Sequence, residues 1–327
     1  MMNRRNALAS VGKFSAATSI IASASVWAQT SKTAGATAKD SSALRADAPV
    51  PVRLGDKLRV VIPANAGGGW DTTGRMFGAS LIASGAVDEI EYENKGGKGG
   101  TTGLKQDVER YDNDPNALLV GGTVMLGAVA VNRSQVDMAR VNPIAKLTSE
   151  YLVVVVPADS EFRTASDLSN ALKTDSKSVP IVGGSAGGVD HMFSGVLIRA
   201  SGGDPKKMNY TPFSSGKDDV AGVLGSGNAK VAITGYGEVR ELLKTGKFRA
   251  IGISAKKSLY GFPSFREQGM QTDMANWRGL FTGRGVNAQR QAELTQAVRM
   301  ATAHPSWAAA VKQNNLEATL VTGSNFS

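Results

Sequence analysis

The sequence predicts an α/β protein of two domains. Over most of the chain, short β-branched runs alternate with segments whose apolar residues recur at helical spacing. The length of 327 residues exceeds one small domain, and 42% of the residues are hydrophobic while only 20% are charged. The 38 glycines stand beside strand-like and helix-like segments without forming a repeat, which excludes collagen and low-complexity disorder.

Strands and helices are predicted to alternate from residue 54 onward. Strands are expected at residues 58–62, 90–93, 117–121, 152–156, 179–182, 230–234 and 250–254. Helices are expected at residues 71–82, 164–173, 190–200, 218–224, 237–243 and 289–303. Asp71 is expected to be the N-cap of the first helix. This order predicts a parallel or mixed sheet in each domain.

Residues 1–28 have the features of a secretory signal peptide. Arg4 and Arg5 precede an apolar, small-residue stretch at 15–27, and cleavage is expected after Ala28. The stretch is too short, and too rich in serine and alanine, for a membrane anchor. The arginine pair suits either the general or the twin-arginine export route. Residues 29–54 lack apolar periodicity and are predicted to be a flexible lead-in.

The composition excludes several classes of function. The formal charge of +9 suits an anionic ligand, but the basic residues are scattered, so nucleic acid is not an expected partner. The absence of cysteine excludes disulfides and thiolate chemistry. With His191 and His304 as the only histidines, a histidine metal cluster is not expected, and we predict no cofactor.

Three glycine-rich turns, at residues 66–71, 94–103 and 183–191, each follow a predicted strand and precede a helix. Backbone N–H groups in such turns can approach an anion closely, and the helix behind adds unpaired N–H groups. One such turn could serve only to reverse the chain, but three at corresponding positions predict a ligand site. None of them fits the G-x-G-x-x-G or Walker A pattern, so a nucleotide site is not predicted.

A serine hydrolase is the main alternative. Residues 183–187 match the G-x-S-x-G nucleophile elbow, with Ser185 as the nucleophile. A triad would need a later acid and then a histidine, for which Asp273 and His304 are the candidates. However, His304 ends an amphipathic helix, where a histidine more often satisfies terminal carbonyls or faces solvent. We therefore expect no enzymatic activity.

A set of motifs together indicates a family. They are Gly-Gly-Gly-Trp-Asp at 67–71, Asn94 with the turn at 97–101, the segment 184–191, Pro-Phe at 212–213 and Asn-Trp-Arg-Gly at 276–279. Through them, residues 58–323 resemble the extracytoplasmic receptors of tripartite tricarboxylate transporters, which are Bug-type periplasmic solute-binding proteins. The resemblance also suggests that relatives continue into a further helical segment beyond Ser327.

The resemblance implies a periplasmic-binding-protein-like fold, type II-like, with the ligand cleft between its domains. Domain I would combine residues 55–152 with 279–327, and domain II would be residues 153–278. A monomeric periplasmic receptor would capture a small di- or tricarboxylate, such as citrate, and deliver it to membrane permease subunits. A receptor that serves a sensor instead would share every feature of this site.

The resemblance further implies that backbone N–H groups and hydroxyls contact the ligand carboxylates. Thr123 and Thr234 are added to the predicted site because each lies just beyond a strand. The predicted site residues are Gly67, Gly68, Gly69, Asn94, Gly99, Gly100, Thr101, Thr123, Gly184, Ser185, Gly188 and Thr234. The chain departs from the family pattern at Gly96 and Lys98, and at Ser214, Ser215 and Lys217. The two lysines either add positive charge near the cleft or point to solvent.

Overall fold

The computed structural model describes residues 50–184, 186–212 and 217–326. The predicted signal peptide lies outside these residues, as do most of the predicted lead-in, Ser185 and residues 213–216. Leu54, at the end of the predicted lead-in, is buried, and its N–H donates to Ala86 O at 2.8 Å. The packed fold therefore includes Leu54, the residue from which strands and helices are predicted to alternate. In the described ranges, no helix is long and apolar enough to span a membrane.

The described chain alternates strands and helices, as the sequence predicts. The strands are β1 (Gly55–Ile62), β2 (Val87–Asn94), β3 (Ala117–Gly122), β4 (Val141–Pro157), β5 (Ile181–Gly183), β6 (Tyr210–Pro212), β7 (Val231–Gly235), β8 (Phe248–Ile253), β9 (Ala275–Gly283) and β10 (Glu317–Thr322). The helices are α1 (Gly69–Ala83), α2 (Thr101–Tyr111), α3 (Thr123–Val131), α4 (Ala165–Asp175), α5 (Val189–Ala200), α6 (Lys217–Gly225), α7 (Tyr236–Leu243), α8 (Ala288–Ala303) and α9 (Pro305–Gln313).

The strands form one continuous mixed sheet in the order β2-β1-β3-β9-β4-β7-β5-β6, and β8 and β10 also pair with β4. β1 is parallel to β2 and β3, whereas β9 is antiparallel to both β3 and β4. At the other end, β5 is parallel to β6 and β7. The α/β fold is therefore confirmed, but the two predicted sheets are joined into one.

The junction is β4, a strand of 17 residues. Its first part, up to Tyr151, pairs with β9 and β10, and its second part, from Leu152, pairs with β7 and β8. The apolar run in the second part has both faces covered: Val154 packs in one hydrophobic cluster, and Val153 and Val155 pack in another. Successive strand residues point to opposite faces, so a strand buried on both sides needs an unbroken apolar run.

Three hydrophobic clusters support the sheet. The first gathers residues from β1 and β3 with α1, α8 and α9, and includes Leu58, Phe77 and Leu294. The other two flank β4 beyond Tyr151 and draw their residues from the middle of the chain, with Phe193 in one and Val239 in the other. Burial of such side chains is the main favourable contribution to folding.

Several elements are absent from the sequence prediction, namely α2, α3, α9, β6, β9, β10 and the first part of β4. α3 has apolar residues on nearly all sides: Met125 is buried and Leu126 is exposed. It therefore lacks the polar face that marks an amphipathic helix. β9 begins with half-buried polar residues, including Asn276 and Arg278, so its first half lacks an apolar pattern.

Candidate functional site

A cavity of about 330 Å³ lies where the first two glycine-rich turns meet β9. Its wall is formed by Pro63, Ala64, Asn65, Gly69, Trp70, Gly96, Gly97, Lys98, Gly99, Gly100, Val124, Asn276 and Arg278. The volume suits a small organic ligand. Of the predicted site residues, Gly69, Gly99 and Gly100 line this cavity.

Gly69 lets Arg278 reach the first turn. A Cβ on Gly69 would lie 2.8 Å from Arg278 Nη2, closer than real Cβ contacts, and 3.0 Å from its Cζ. Arg278 comes from β9, where it pairs with Gly122 of β3 on one side and Thr148 of β4 on the other. The missing side chain at residue 69 therefore makes room for the guanidinium at the cavity wall.

Gly67 and Gly68 direct their N–H groups within the turn. Gly67 N donates to Asp71 Oδ2 at 2.8 Å, and Gly68 N donates to Asn65 O at 3.2 Å. Neither glycine lines the cavity. Their predicted contacts to a ligand carboxylate stay predictions, and they would require these N–H groups to exchange partners.

The prediction that Asp71 is the N-cap of the first helix is wrong. α1 begins at Gly69, and Gly68 occupies the N-cap position. The Asp71 carboxylate is buried in the first turn of the helix and accepts hydrogen bonds from Arg75 Nε and Asn94 Nδ2, both at 2.9 Å. Burial alone would raise the pKa of Asp71, but the bonds from Arg75, Gly67 and Asn94 together hold it below its usual value. Asp71 thus stays ionised and fixes the turn.

Asn94 serves the same network. Besides the bond to Asp71, its Nδ2 donates to Ala64 O at 3.1 Å, and its Oδ1 accepts from Arg75 Nη2 at 3.2 Å. It does not line the cavity. In this structure its amide connects the end of β2 to the first turn, so we assign it a positioning role.

The second turn follows β2 and has glycines where the backbone is left-handed. Gly100 has a φ of 94°, and a Cβ there would lie 2.8 Å from Trp70 Cη2, with another ring carbon closer still. The Trp70 ring therefore lies directly on the turn. Thr101 begins α2 and is buried, and its hydroxyl donates to Lys98 O at 3.0 Å. Its role in this structure is to hold the turn.

Arg278 is paired with Glu150 of β4 at the cavity wall. Its Nη2 lies 2.9 Å from Glu150 Oε2, and the two side chains are only 12% and 17% exposed. Asn276 Nδ2 makes a longer contact of 3.4 Å to the same oxygen. Burial raises the pKa of Glu150, and Arg278 opposes that rise. Arg278 and Asn276 are absent from the predicted site, although the Asn-Trp-Arg-Gly motif contained both.

The third turn lies apart from the cavity wall, since neither Gly184 nor Gly188 is among its residues. Gly184 N donates to Asp190 Oδ2 at 2.7 Å, and the Tyr210 hydroxyl donates to Gly184 O at 2.7 Å. Gly188 is the N-cap residue of α5. Ser185, the predicted hydroxyl contact in this turn, lies outside the described residues.

Asp190 is deeply buried behind the third turn. Burial raises the pKa of its carboxyl to about 7, the N–H of Gly184 opposes the rise, and the charges of Glu238 and Glu150 add to it. The turn also packs on α3, because a Cβ on Gly127 would collide with Gly187 O. It thereby approaches the helix whose Val124 lines the cavity.

The two predicted threonines have partners within the fold. Thr123 Oγ1 donates to Ala275 O at 3.0 Å and accepts from Trp277 N at 3.1 Å, which joins α3 to β9. Thr234 Oγ1 donates to a carboxylate oxygen of Glu238. Both threonines are buried and neither lines the cavity, so a ligand contact by either hydroxyl stays a prediction.

The residues proposed for a hydrolase triad make other contacts. Asp273 pairs with Arg266 at 2.9 Å, and His304 Nδ1 lies 2.8 Å from Ser306 Oγ at the junction of α8 and α9. His304 is the N-cap of α9, because its Nδ1 also accepts a hydrogen bond from Ser306 N at 3.3 Å. Among the described residues, no group of histidine, aspartate and glutamate side chains could hold a metal ion.

Comparisons with known proteins agree with this fold. A TctC solute-binding protein from Polaromonas, solved without ligand, superposes with a TM-score of 0.69 at 22% identity, covering 83% of this chain and 92% of that one. MatC from Rhodopseudomonas palustris, with bound malate, gives a TM-score of 0.62 at 23% identity, covering 82% and 91%. The chain therefore has the two-domain periplasmic-binding-protein-like fold.

The sequence is also 24% identical over 267 residues to the UPF0065 protein in the tcbD-tcbE intergenic region of Pseudomonas sp. (strain P51), covering 77% of this chain and 76% of that protein. The family model described as "Tripartite tricarboxylate transporter family receptor" matches residues 87–325. Such receptors bind solutes and are not enzymes. The chain belongs to the tripartite tricarboxylate transporter receptor family.

Proposed function

We propose that this protein is a periplasmic receptor that captures a small di- or tricarboxylate, such as citrate, and delivers it to the permease of a tripartite tricarboxylate transporter. The observation that supports this most is the cavity wall, where two glycine-rich turns come together and which includes two cationic residues, Lys98 and Arg278. Glycine turns allow close approach of backbone N–H groups, and a guanidinium matches the geometry of a carboxylate. The malate bound to MatC is itself a dicarboxylate.

The cavity also has an apolar side. Pro63, Trp70 and Val124 line it, and among the described residues its wall includes no aspartate or glutamate; Glu150 pairs with Arg278 but does not line the cavity. A short carbon chain between carboxylates would contact these apolar groups. The combination supports a small organic acid over an inorganic anion.

The domain boundaries belong to the same proposal. Domain I would be residues 55–152 plus 279–327 and domain II residues 153–278. One hydrophobic cluster contains residues from both parts of domain I, and apart from Leu152 the buried residues of the other two belong to domain II, which supports this division. A ligand that contacts both domains would favour the closed arrangement, and the closed monomer would dock on the permease.

Export completes the proposal. The signal peptide would be cleaved after Ala28, and the receptor would act in the periplasm. Mass spectrometry of protein recovered from the periplasmic fraction tests the cleavage site. A pull-down with solubilised membrane proteins distinguishes a permease partner from a sensor.

Ligand binding is tested by thermal shift and calorimetry with citrate, malate and a set of other carboxylates. A ligand at one hundred times its Kd adds about 2.7 kcal/mol to the stability of the folded state. For a protein of this size the melting temperature should rise by roughly 4–5 °C. If no carboxylate raises the melting temperature, the proposed function is wrong.

A pair of variants locates the site. Val124→Asp places a carboxylate in the cavity wall and should weaken binding of any carboxylate at least tenfold by charge repulsion. Val124→Asn has the same shape without the charge and should bind within a few-fold of wild type. Leu126→Asp, on the exposed side of the same helix, should leave binding unchanged. Equal affinities for the two Val124 variants would place the ligand elsewhere.

A further inference from the structure

Lys98 has a backbone conformation that residues other than glycine seldom adopt. Its φ is 49°, between Gly97 at 127° and Gly99 at 63°. The lysine carbonyl oxygen fixes this geometry, because it accepts hydrogen bonds from Thr101 Oγ1 at 3.0 Å and Asn132 Nδ2 at 2.9 Å. Glycine would fit with less strain, so a lysine here costs stability. Backbone strain of this kind is concentrated at functional sites in proteins.

Lys98 and Arg278 are the cationic residues of the cavity wall, and they differ in their partners. Arg278 is neutralised by Glu150 at 2.9 Å. Within the part of the chain that the structure describes, no ion pair or hydrogen bond engages the Lys98 ammonium, and the residue is exposed. Its positive charge is therefore available to a ligand.

We infer that Lys98 is a specificity-determining residue that selects ligands with a second anionic group; this inference rests on the proposed carboxylate function. One carboxylate of the ligand is held among the glycine turns, and the Lys98 ammonium attracts the other. A monocarboxylate of equal length leaves the ammonium in water and gains nothing from it. Because Lys98 is exposed, its attraction is modest and is screened by salt.

The test compares matched acids on matched variants by calorimetry at neutral pH. Succinate, glutarate and adipate are paired with butyrate, pentanoate and hexanoate, which have the same chain lengths and one carboxylate fewer. Lys98→Met should weaken the binding of the best diacid about fivefold. It should change the affinity for the monoacid of the same chain length less than twofold. Lys95→Met removes a charge from an exposed residue of the same turn that does not line the cavity, and should change neither.

Three further measurements distinguish the effect of the Lys98 charge from an effect on folding. Lys98→Gly suits the left-handed backbone, so its melting temperature should equal or exceed that of wild type while the diacid preference is lost. Lys98→Arg should keep most of the preference. Raising the ionic strength should reduce the diacid preference of wild type but not that of Lys98→Met.

The outcomes are distinct. If Lys98→Met weakens diacid and monoacid equally, or weakens neither, Lys98 does not select the second anionic group. The same follows if wild type binds carboxylates without any diacid preference, and the proposed function then survives alone. If wild type binds none of the six acids and none of the carboxylates tested above, both proposals are wrong.

Discussion

Glu150→Gln should lower the stability of the ligand-free protein and raise its affinity for a carboxylate ligand. Glu150 and Arg278 form an ion pair of 2.9 Å whose side chains are 17% and 12% exposed. The substitution keeps the shape of the side chain but removes the charge that neutralises Arg278. The guanidinium then lies at the cavity wall without a carboxylate partner, and a ligand carboxylate can take that place.

The magnitude follows from the geometry of the pair. Removing one member of a buried ion pair costs about 3–5 kcal/mol. The glutamine amide oxygen can still accept a hydrogen bond from Arg278, which recovers part of that cost, so we expect a net loss of about 2 kcal/mol. For a protein of this size the melting temperature should fall by roughly 3 °C. Carboxylate binding should restore most of the loss, which corresponds to roughly tenfold tighter binding.

The assay is thermal unfolding of wild type and variant, with and without the best carboxylate, followed by calorimetry. Glu161→Gln is the matched control, because Glu161 pairs with Lys230 at 3.0 Å in an ion pair whose side chains are 66% and 47% exposed. Such surface pairs contribute about 0–1 kcal/mol. If Glu150→Gln lowers the melting temperature no more than Glu161→Gln does, or if it weakens carboxylate binding, the assigned role of the pair is refuted.

Two other variants test the fold around the site. Asp107 is 2% exposed, its Oδ2 has no hydrogen-bond partner, and burial followed by neighbouring carboxylates raises its pKa to about 7. The folded protein therefore binds this proton more tightly than the unfolded chain, so stability should fall from about pH 4 to pH 7 and then level off. Asp107→Asn should flatten this slope and raise stability at pH 8 by about 2 kcal/mol in urea unfolding, and an unchanged slope would contradict the assignment. Gly100→Ala should displace the Trp70 ring and weaken ligand binding at least tenfold in calorimetry; unchanged affinity would show that the ring position is unimportant.

Local pattern was sufficient to predict much of the fold. The buried strand from Leu152 onward shows as an unbroken apolar run, and α1 and α5 show as helical spacing after glycine turns. β9 could not be predicted in this way, because its first half is polar and its place between β3 and β4 depends on residues distant in the sequence. The joining of two sheets by one long β4 is likewise a tertiary property.

Part of the candidate site could also be predicted from the sequence. The glycine-rich turns predicted a ligand site, and the family resemblance assigned Gly69, Gly99 and Gly100 to it; these three line the cavity, although their ligand contacts stay predictions. The use of the Gly67 and Gly184 N–H groups could not be predicted, since it depends on side-chain conformations of nearby aspartates. Arg278 was missed because only the folded sheet brings it to the first turn.

The contact between Gly69 and Arg278 has an evolutionary consequence. The space left by the missing side chain at residue 69 is filled by the guanidinium, so neither residue can change in size without affecting the other. A side chain at residue 69 would require the Arg278 guanidinium to move away from the first turn, or residue 278 to become shorter. Residues 69 and 278 should therefore covary among related receptors that differ in their ligands.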